Sequence, residues 1–339
     1  MDEPAKKKKR PYHRVRKLKR PRSTAPGQHV AVLPAEVLEV LNPRPGQVVV
    51  DGTLGYAGHA AALLARVGPA GRLIALDLDA GNLPGAQQRL AAVGHPFTLH
   101  HGNFAGVAGV LAAEGFAGAD GFLADLGMSS MQLDDRERGF SLLRDGPLDM
   151  RMDQGRGKTA AEWLATIPLD DLAAALRDIG DEPQAERIAA ALVAARAAEP
   201  IERTGQLRDL IEQAAPVEVL RGAGLAPARK QRLLPATRVF QTLRILVNRE
   251  LASLQGLLRA LPSVLNPGGI AAVISFHSGE DRLVKAAFKE GLAAGHYAEI
   301  SDDPIRPGEA EKLANPRSRS AKLRWARRGM SGSPATTCE

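Results

Sequence analysis

The sequence predicts an α/β protein whose parallel sheet is interrupted by an all-helical block. Over residues 47–125, short apolar runs alternate with stretches of helical spacing, which is the pattern of βαβ units and of a parallel sheet. No strand pattern occurs between residues 125 and 234, and the βα pattern returns at about residue 237. We therefore expect helices to be inserted into an α/β domain.

In the first half, each predicted strand is a short apolar run that ends at a turn. The strands are predicted at 47–51, 72–77, 97–101 and 120–125. Helical spacing predicts helices at 32–41, 60–67, 86–93 and 107–114. The Pro- and Gly-containing stretch 42–46 ends the first of these helices.

The second half begins with the helical block. Residues 159–162 (TAAE) have the spacing of a capping box, and helices are predicted at 160–165, 169–178, 184–197 and 205–214. One helix over 237–261, a turn at 266–269 and a strand at 270–276 follow. Residues 315–328 carry six Lys and Arg and are predicted to form an edge strand.

Composition excludes several classes of protein. No apolar run approaches the roughly 18 residues that a membrane span requires, so no membrane association is expected. The single cysteine, Cys338, excludes an internal disulfide framework and a Cys-based zinc site, and we expect no metal. Aromatic residues make up only 4% of the chain, which disfavours a base-stacking platform. We expect a cytoplasmic protein.

The positive charge is concentrated at the N-terminus. Residues 1–28 contain eleven Lys and Arg against two acids, so the remaining chain has a net charge of −2 within a total of +7. A basic tail of this kind, centred on residues 6–22, suits a polyanion such as nucleic acid. A disordered solubility tail and a membrane-surface patch are the alternatives.

A Gly-rich turn follows the first strand. Asp51, Gly55 and Gly58 lie between that strand and the next helix, where glycines allow a ligand to approach the backbone. Asp77 ends the second strand, in position to accept hydrogen bonds from ribose hydroxyls. Asp125 ends the fourth. The glycine spacing is not the G-x-G-x-x-G of a nicotinamide site, so we expect an adenosine-containing ligand without a pyrophosphate, such as S-adenosylmethionine.

The most unusual stretch is 125–153, DLGMSSMQLDDRERGFSLLRDGPLDMRMD. Six Asp, one Glu and four Arg alternate there with Phe, Leu and Met, which indicates a long loop ordered against the rest of the protein. A charged surface connection is the simpler alternative. Acids outnumber bases in this run, so we expect Arg138, Arg144 and Arg151 to pair internally rather than with RNA.

Six segments together resemble one family: DGTLGYAGHA (51–60), HGNF (101–104), the run 125–153, PATRVFQTLRILVN (235–248), ISFHSGEDRLVK (274–285) and NPRSRSAKLR (315–324). They resemble the RsmH (MraW) family of S-adenosylmethionine-dependent methyltransferases, which act on cytosine N4 in the decoding region of 16S ribosomal RNA. The resemblance covers about residues 29–328, and the run 125–153 is its most specific part.

This resemblance implies a class I (Rossmann-like) methyltransferase domain made of residues 29–130 and 235–328. A loop and a helical substrate-recognition domain, residues 131–234, would be inserted into it. The basic tail 1–28 lies outside the family pattern, and residues 329–339 are expected to be a flexible C-terminus.

The resemblance also implies which residues contact S-adenosylmethionine. The matching positions are Ala57, Gly58, His59, Asp77, Phe104, Asp125 and Gln132. We add Asp51 and Gly55 from the turn itself. The family usually has Gly at the position of Ala57 and Leu at that of Gly279, so the backbone at Ala57 is expected to be slightly less permissive.

For the chemistry, we hypothesise that Asp125, with Ser129 or Ser130 nearby, accepts the proton that N4 releases. The alternative is that Asp125 contacts only the cofactor. The His277-Ser278 and Glu280-Asp281-Arg282 motif is interpreted either as a lining of the base pocket or as a charged helix cap.

The expected partner is 16S rRNA within the small ribosomal subunit, with segment 317–328 as a candidate contact. Arg317, Arg319, Lys322 and Arg324 are the favoured phosphate ligands there. A homodimer is one assembly that the sequence leaves open. The alternatives are a class I methyltransferase acting on another RNA or a protein, and a cofactor-free RNA-binding assembly factor.

Overall fold

A computed structural model describes residues 30–216 and 234–330, and in this part of the chain seven strands form one sheet. They are β1 (Val48–Asp51), β2 (Arg72–Asp77), β3 (Phe97–His101), β4 (Ala119–Asp125), β5 (Leu265–Ser275), β6 (Tyr297–Ile300) and β7 (Lys322–Arg328). The order is β3-β2-β1-β4-β5-β7-β6. Strands β1 to β5 pair in parallel, whereas β7 runs antiparallel to β5 and β6. The predicted class I, Rossmann-like α/β fold is confirmed.

Helices cover both faces of this sheet. They are α1 (Pro34–Leu41), α2 (Gly58–Val67), α3 (Leu83–Ala91), α4 (Val107–Ala113), α11 (Glu250–Val264) and α12 (Ser278–Ala293). Successive strand residues point to opposite faces, so Val49 packs in the apolar cluster with α1, α2 and α3. Its neighbour Val50 packs in the cluster with α4, α11 and α12. Burial on both faces explains why the inner strands β1, β2 and β4 are mostly apolar runs.

The helical block lies between β4 and β5. It contains α5 (Ser130–Asp134), α6 (Ala160–Thr166), α7 (Leu169–Asp178), α8 (Ala185–Ala198), α9 (Thr204–Ala214) and α10 (Pro235–Asn248). The predicted capping box begins α6, where Thr159 and Glu162 bond each other's backbone N–H groups. This block has its own apolar cluster, and α10 contributes Val239 and Leu243 to it. The proposed domain boundaries stay a prediction, and this packing joins α10 to the helical block.

The prediction of one helix over 237–261 is wrong. The chain forms α10 and α11, which meet at Arg249 in the left-handed conformation with φ of 51°. Arg244 in α10 donates two 2.8 Å hydrogen bonds to the Glu250 carboxylate across this break. Arg249 is not a Gly or Pro, so the sequence gives no sign of the break.

Two further predictions about the C-terminal part need correction. Strand β7 is not an edge strand, because it lies between β5 and β6, and the short strand β6 forms the edge. Residues 266–269 are not a separate turn, because they belong to β5, where the pairing with β4 shifts register. A last helix, α13 (Glu309–Ala314), precedes β7.

Several predictions fall outside the described residues. The basic tail 6–22 and most of the C-terminal segment 329–339 are among them. Within the described ranges, none of the helices has the length and apolar character to cross a membrane.

Candidate active site

A cavity opens at the carboxyl ends of β1, β2 and β4. The strand order changes direction between β1 and β4, since β2 and β3 are added on one side of β1 and β4 and β5 on the other. Open α/β sheets bind ligands at such a point. The predicted site residues that line the cavity are Gly55, Gly58, His59, Asp77, Phe104, Asp125, Ser129 and Gln132. Asp51 and Ala57 are the two predicted residues that do not line it, since both are buried behind its wall.

The Gly-rich turn forms one side of the cavity. Gly55 has a positive φ of 47°, a conformation that glycine adopts without steric cost. Ala57 also has a positive φ, 58°, and precedes the first residue of α2. A side chain in this region is strained, so the departure from the family's usual glycine falls on a position that requires left-handed backbone.

Asp77 is held by three hydrogen bonds. Its carboxylate accepts from the backbone N–H groups of Gly55 and Asp79, both at 2.7 Å, and from Asn82 Nδ2 at 3.1 Å. Burial raises the pKa of Asp77, although these bonds act in the opposite direction. The carboxylate therefore fixes the Gly-rich turn while its side chain lines the cavity.

The neighbouring Asp79 anchors the long charged loop. Its Oδ2 accepts from Gln132 Nε2 at 2.9 Å and from Arg138 Nη1 at 2.7 Å. Gln132 Oε1 accepts from the Ser129 N–H at 3.0 Å, and Ser129 Oγ accepts from the Gln132 N–H at 3.3 Å. Both amide atoms of Gln132 are thus engaged by the protein, and Ser129 caps α5 at the cavity wall.

Asp125 has a different environment. Its backbone N–H donates to Thr53 Oγ1 at 2.6 Å. Its Oδ2 lies 3.7 Å from His59 Nε2, which is an ion-pair distance and too long for a hydrogen bond. Asp125 Oδ1 and His59 Nε2 are buried atoms without a hydrogen-bond partner among the described residues. Buried polar atoms of this kind are rare, and both residues line the cavity.

Another acid, Asp51, lies behind the His59–Asp125 pair. Asp51 is 1% exposed and accepts from the Thr53 N–H at 3.0 Å. Burial raises the pKa of Asp51 to about 6, although His59 and the Thr53 N–H lower it. Burial lowers the pKa of His59, but the carboxylates of Asp125 and Asp51 outweigh it, so the net pKa is raised. Asp51, His59 and Asp125 therefore form a row of interacting charges that runs from the buried Asp51 to the partly exposed Asp125.

The arginines of the long loop mostly pair within it, as predicted. Arg151 binds Asp149 through two 2.8 Å hydrogen bonds, and Arg144 lies 3.3 Å from Asp134. Arg138 differs, since its carboxylate partner is Asp79 outside the run. Arg138 also donates to the carbonyls of residues 151 and 152. The loop is therefore ordered by bonds both within itself and to the sheet edge.

The structure adds cavity residues that sequence reasoning missed. Asn248 and Glu250 flank the break between α10 and α11, and both line the cavity. The left-handed conformation of Arg249, which lies between them, directs both residues to the cavity. No sequence pattern predicts this conformation. Asn248 Nδ2 donates to the Met150 carbonyl at 2.8 Å, and Asn248 Oδ1 accepts from the Met152 N–H at 2.7 Å.

The 277–282 motif contains both a helix cap and a residue that lines the cavity. His277 caps α12, whereas Glu280 lines the cavity. Asp281 faces β7 and lies 2.7 Å from both Lys322 Nζ and Arg324 Nε. These two cations are therefore paired with a partly buried acid, and their role as phosphate ligands stays a prediction.

The comparisons with known proteins agree with one another. The sequence profile of the MraW methylase family matches residues 27–329. The chain is 46% identical over 312 residues to the ribosomal RNA small subunit methyltransferase H of Geobacter sp. strain M21, covering 87% of this chain and 97% of that protein. It is 44% identical over 325 residues to the protein of that name from Leptothrix cholodnii, covering 90% and 95%.

A solved structure shows a weaker similarity. A putative rRNA-methylase from Clostridium thermocellum aligns with a TM-score of 0.41 at 11% identity, covering 90% of this chain and 99% of that one. This score is too low to support an argument about the site.

Proposed function

The chain belongs to the MraW methylase family, and from this membership we propose that it methylates N4 of one cytidine in 16S rRNA. As a member it is an S-adenosylmethionine-dependent methyltransferase. The relatives that it matches over nearly their whole length are named for small-subunit ribosomal RNA, which supports this RNA as the substrate. The choice of N4 and of the decoding region follows the resemblance given above. A ribosomal substrate implies action in the cytoplasm.

The cavity residues fit S-adenosylmethionine, which supplies a methyl group already activated on a sulfonium. A carboxylate has about four acceptor positions, and Asp77 uses three, so one remains for a ribose hydroxyl. Phe104 and Leu254 line the same cavity and offer apolar surface to an adenine ring. The Gly-rich turn allows close approach of the backbone.

The unpaired Oδ1 of Asp125 is the structural observation that supports amine methylation. The N4 lone pair of cytosine is delocalised into the ring, so an acceptor for the N4–H bond raises its nucleophilicity. Asp125 Oδ1 is a buried acceptor with no donor within residues 30–216 and 234–330. We propose that it accepts the N4–H hydrogen bond and then the proton that N4 releases.

His59 and Ser129 support Asp125 in this proposal. A protonated His59 attracts the carboxylate from 3.7 Å and holds it at the cavity wall. The Ser129 Oγ accepts a backbone hydrogen bond, which leaves its hydroxyl hydrogen to donate to the base. The target base must leave any helical stack to reach these groups.

The proposal is tested by methyl incorporation from labelled S-adenosylmethionine. The substrates are small ribosomal subunits and naked 16S RNA, both prepared from cells that lack the enzyme, and the modified nucleoside is identified by mass. We expect N4-methylated cytidine at one site. A preference for subunits would mean that assembled RNA shape is recognised.

Other outcomes would favour the alternatives. Incorporation into a different nucleoside or into protein would contradict the substrate assignment. Calorimetric titration with S-adenosylmethionine addresses the assembly-factor alternative, because a cofactor-free factor would give no binding.

A further inference from the structure

The charges that line the cavity are strongly unbalanced. Four carboxylates line it, from Asp77, Asp125, Glu250 and Glu280. Arg317 is the only lysine or arginine among the described residues that line it. A nucleotide that enters such a cavity brings a phosphate, which needs a cation rather than another acid.

Arg317 is weakly engaged by the protein. It lies in the short 3-10 helix Pro316–Ser320 that precedes β7. Its Nη2 is 3.7 Å from Asp134 Oδ2, and this is its one ion pair within the described ranges. By contrast, Lys322 and Arg324 in the following strand each lie 2.7 Å from Asp281. The cation at the cavity is therefore less committed to a protein carboxylate than Lys322 or Arg324.

Asp134 does not depend on Arg317 for its own pairing. Arg144 lies 3.3 Å from its carboxylate and also donates to its backbone carbonyl. An exposed ion pair at 3.7 Å is weak, because water screens it. A phosphate, in contrast, presents two oxygens that match the guanidinium fork. Arg317 can therefore exchange Asp134 for a phosphate at little cost.

The position of Arg317 distinguishes RNA from the cofactor as the source of the anion. The side chains of Arg317 and Asp134 are 36% and 38% exposed, whereas His59 and Asp77 are 8% exposed and Gln132 is 5% exposed. The pair thus lies at the rim and the predicted cofactor residues lie inside. A base that is turned into an enclosed pocket keeps its phosphate at the rim.

We propose that Arg317 binds the phosphodiester of the target nucleotide and that Asp134 competes with the RNA for it. This inference rests on the proposed function, since it takes RNA as the ligand. Arg317 is then a substrate-positioning residue and Asp134 its competitor. The two substitutions are expected to act in opposite directions on RNA binding.

The test compares Arg317→Gln, Asp134→Asn and the wild type, as full-length proteins, for binding to unmethylated small subunits over a range of salt concentrations. Arg317→Gln should weaken binding about tenfold, as expected for one charge-assisted hydrogen bond. It should also reduce the salt slope by about one. Asp134→Asn should tighten binding about two- to threefold. Affinity for S-adenosylmethionine should not change in either variant.

Arg319→Gln is the matched control. Arg319 was also predicted from the sequence to bind phosphate, but it is exposed in the same 3-10 helix and does not line the cavity, so the proposal assigns it no contact with the target nucleotide. It should change binding less than twofold. An unchanged affinity and salt slope for Arg317→Gln would overturn the proposal. So would weakened cofactor binding, which would assign Arg317 to the cofactor carboxylate. Weaker RNA binding by both Arg317→Gln and Asp134→Asn would also contradict it, because it would mean that the Arg317–Asp134 ion pair itself maintains the binding surface.

Failure of the proposed function would look different. In that case the wild type itself would transfer no methyl group to the subunits. If the wild type is active and Arg317→Gln equals it in binding, only the role of Arg317 is lost.

Discussion

The cavity contains two acids at strand ends that differ in how the protein uses them. Asp77 accepts three hydrogen bonds from the protein. One of the three donors is the backbone N–H of Asp79, whose carboxylate binds Gln132 and Arg138 of the long loop. Asp125 has one buried oxygen with no donor in the described part of the chain, and a histidine nitrogen lies 3.7 Å from its other oxygen. Leaving a buried acceptor unpaired costs about 1–3 kcal/mol. Of these two acids, only Asp125 carries this cost. An unsatisfied buried acceptor is expected at a site that binds a ligand.

The largest expected effect is on the reaction, at Asp125. Asp125→Asn keeps the shape of the side chain but removes its ability to take a proton. We expect kcat to fall by about 10²- to 10⁴-fold at saturating S-adenosylmethionine, while a calorimetric titration measures cofactor affinity separately. An unchanged kcat would contradict the acid-base role and leave Asp125 as a cofactor contact.

Asp153→Asn is a matched control for that measurement. Asp153 Oδ2 also lies 3.7 Å from a histidine nitrogen, in His101, and its side chain is 17% exposed against 18% for Asp125. It does not line the cavity, so its loss should leave kcat nearly unchanged. An equal fall in both variants would mean that any acid removed near this loop disturbs the reaction.

The next effect is on stability and reverses the order of the two acids. Asp77→Ala leaves three donors without an acceptor, so we expect the free energy of unfolding to fall by about 3 kcal/mol. Asp125→Ala removes the unpaired Oδ1 together with the long 3.7 Å contact between Oδ2 and His59, and should cost less than about 1 kcal/mol. Denaturant unfolding of both variants measures the difference. Similar losses would mean that the hydrogen bonds of Asp77 do not distinguish the two acids.

Much of this architecture was predictable from the sequence, and the exceptions have physical causes. Strands β1 to β4 were placed within one residue of their observed bounds. For β1, β2 and β4 the reason is that a strand buried on both faces is a mostly apolar run. Strand β6 was missed because it has four residues, two of them exposed. The break at Arg249 was missed because neither Gly nor Pro marks it.

The candidate site was predictable only where its residues follow strands. Asp77 and Asp125 line the cavity as strand-end acids should, but Asp51, at the end of β1, turns away from it and is buried beside Thr53. Strand position alone does not give the direction of that side chain. Glu250 and Glu280 reach the cavity through long-range packing, which no local pattern encodes.

A smaller effect concerns pH and the acid behind Asp125. The pKa of Asp51 is raised by burial to about 6 from an ordinary value of 3.8. A raised carboxyl pKa gives stability that is full below pH 3.8 and is lost as pH rises through about 6. From pH 4 to pH 7 the wild type should therefore lose about 2–3 kcal/mol of unfolding free energy relative to Asp51→Asn.

His59 gives that measurement a second check. The charge of His59 lowers the pKa of Asp51, so in a His59→Gln background the loss should extend to higher pH. Parallel stability curves for wild type and Asp51→Asn between pH 4 and 7 would contradict the raised pKa of Asp51, and a loss over the same pH range in the His59→Gln background would contradict the effect of His59 on it.

The smallest expected effect lies in the turn that connects the two acids. Ala57 has a φ of 58°, and glycine would relieve a strain of about 1 kcal/mol there. Ala57 is also fully buried, and removing its methyl group loses about 0.8 kcal/mol of burial. The two effects oppose each other, so Ala57→Gly should change the unfolding free energy by less than about 1 kcal/mol. Its kcat should also stay near the wild-type value, because the Gly55 N–H still donates to Asp77 and His59 still lies beside Asp125.

A large loss of stability would mean that burial of the Ala57 methyl group, rather than the left-handed backbone, determines which residue is favoured at this position.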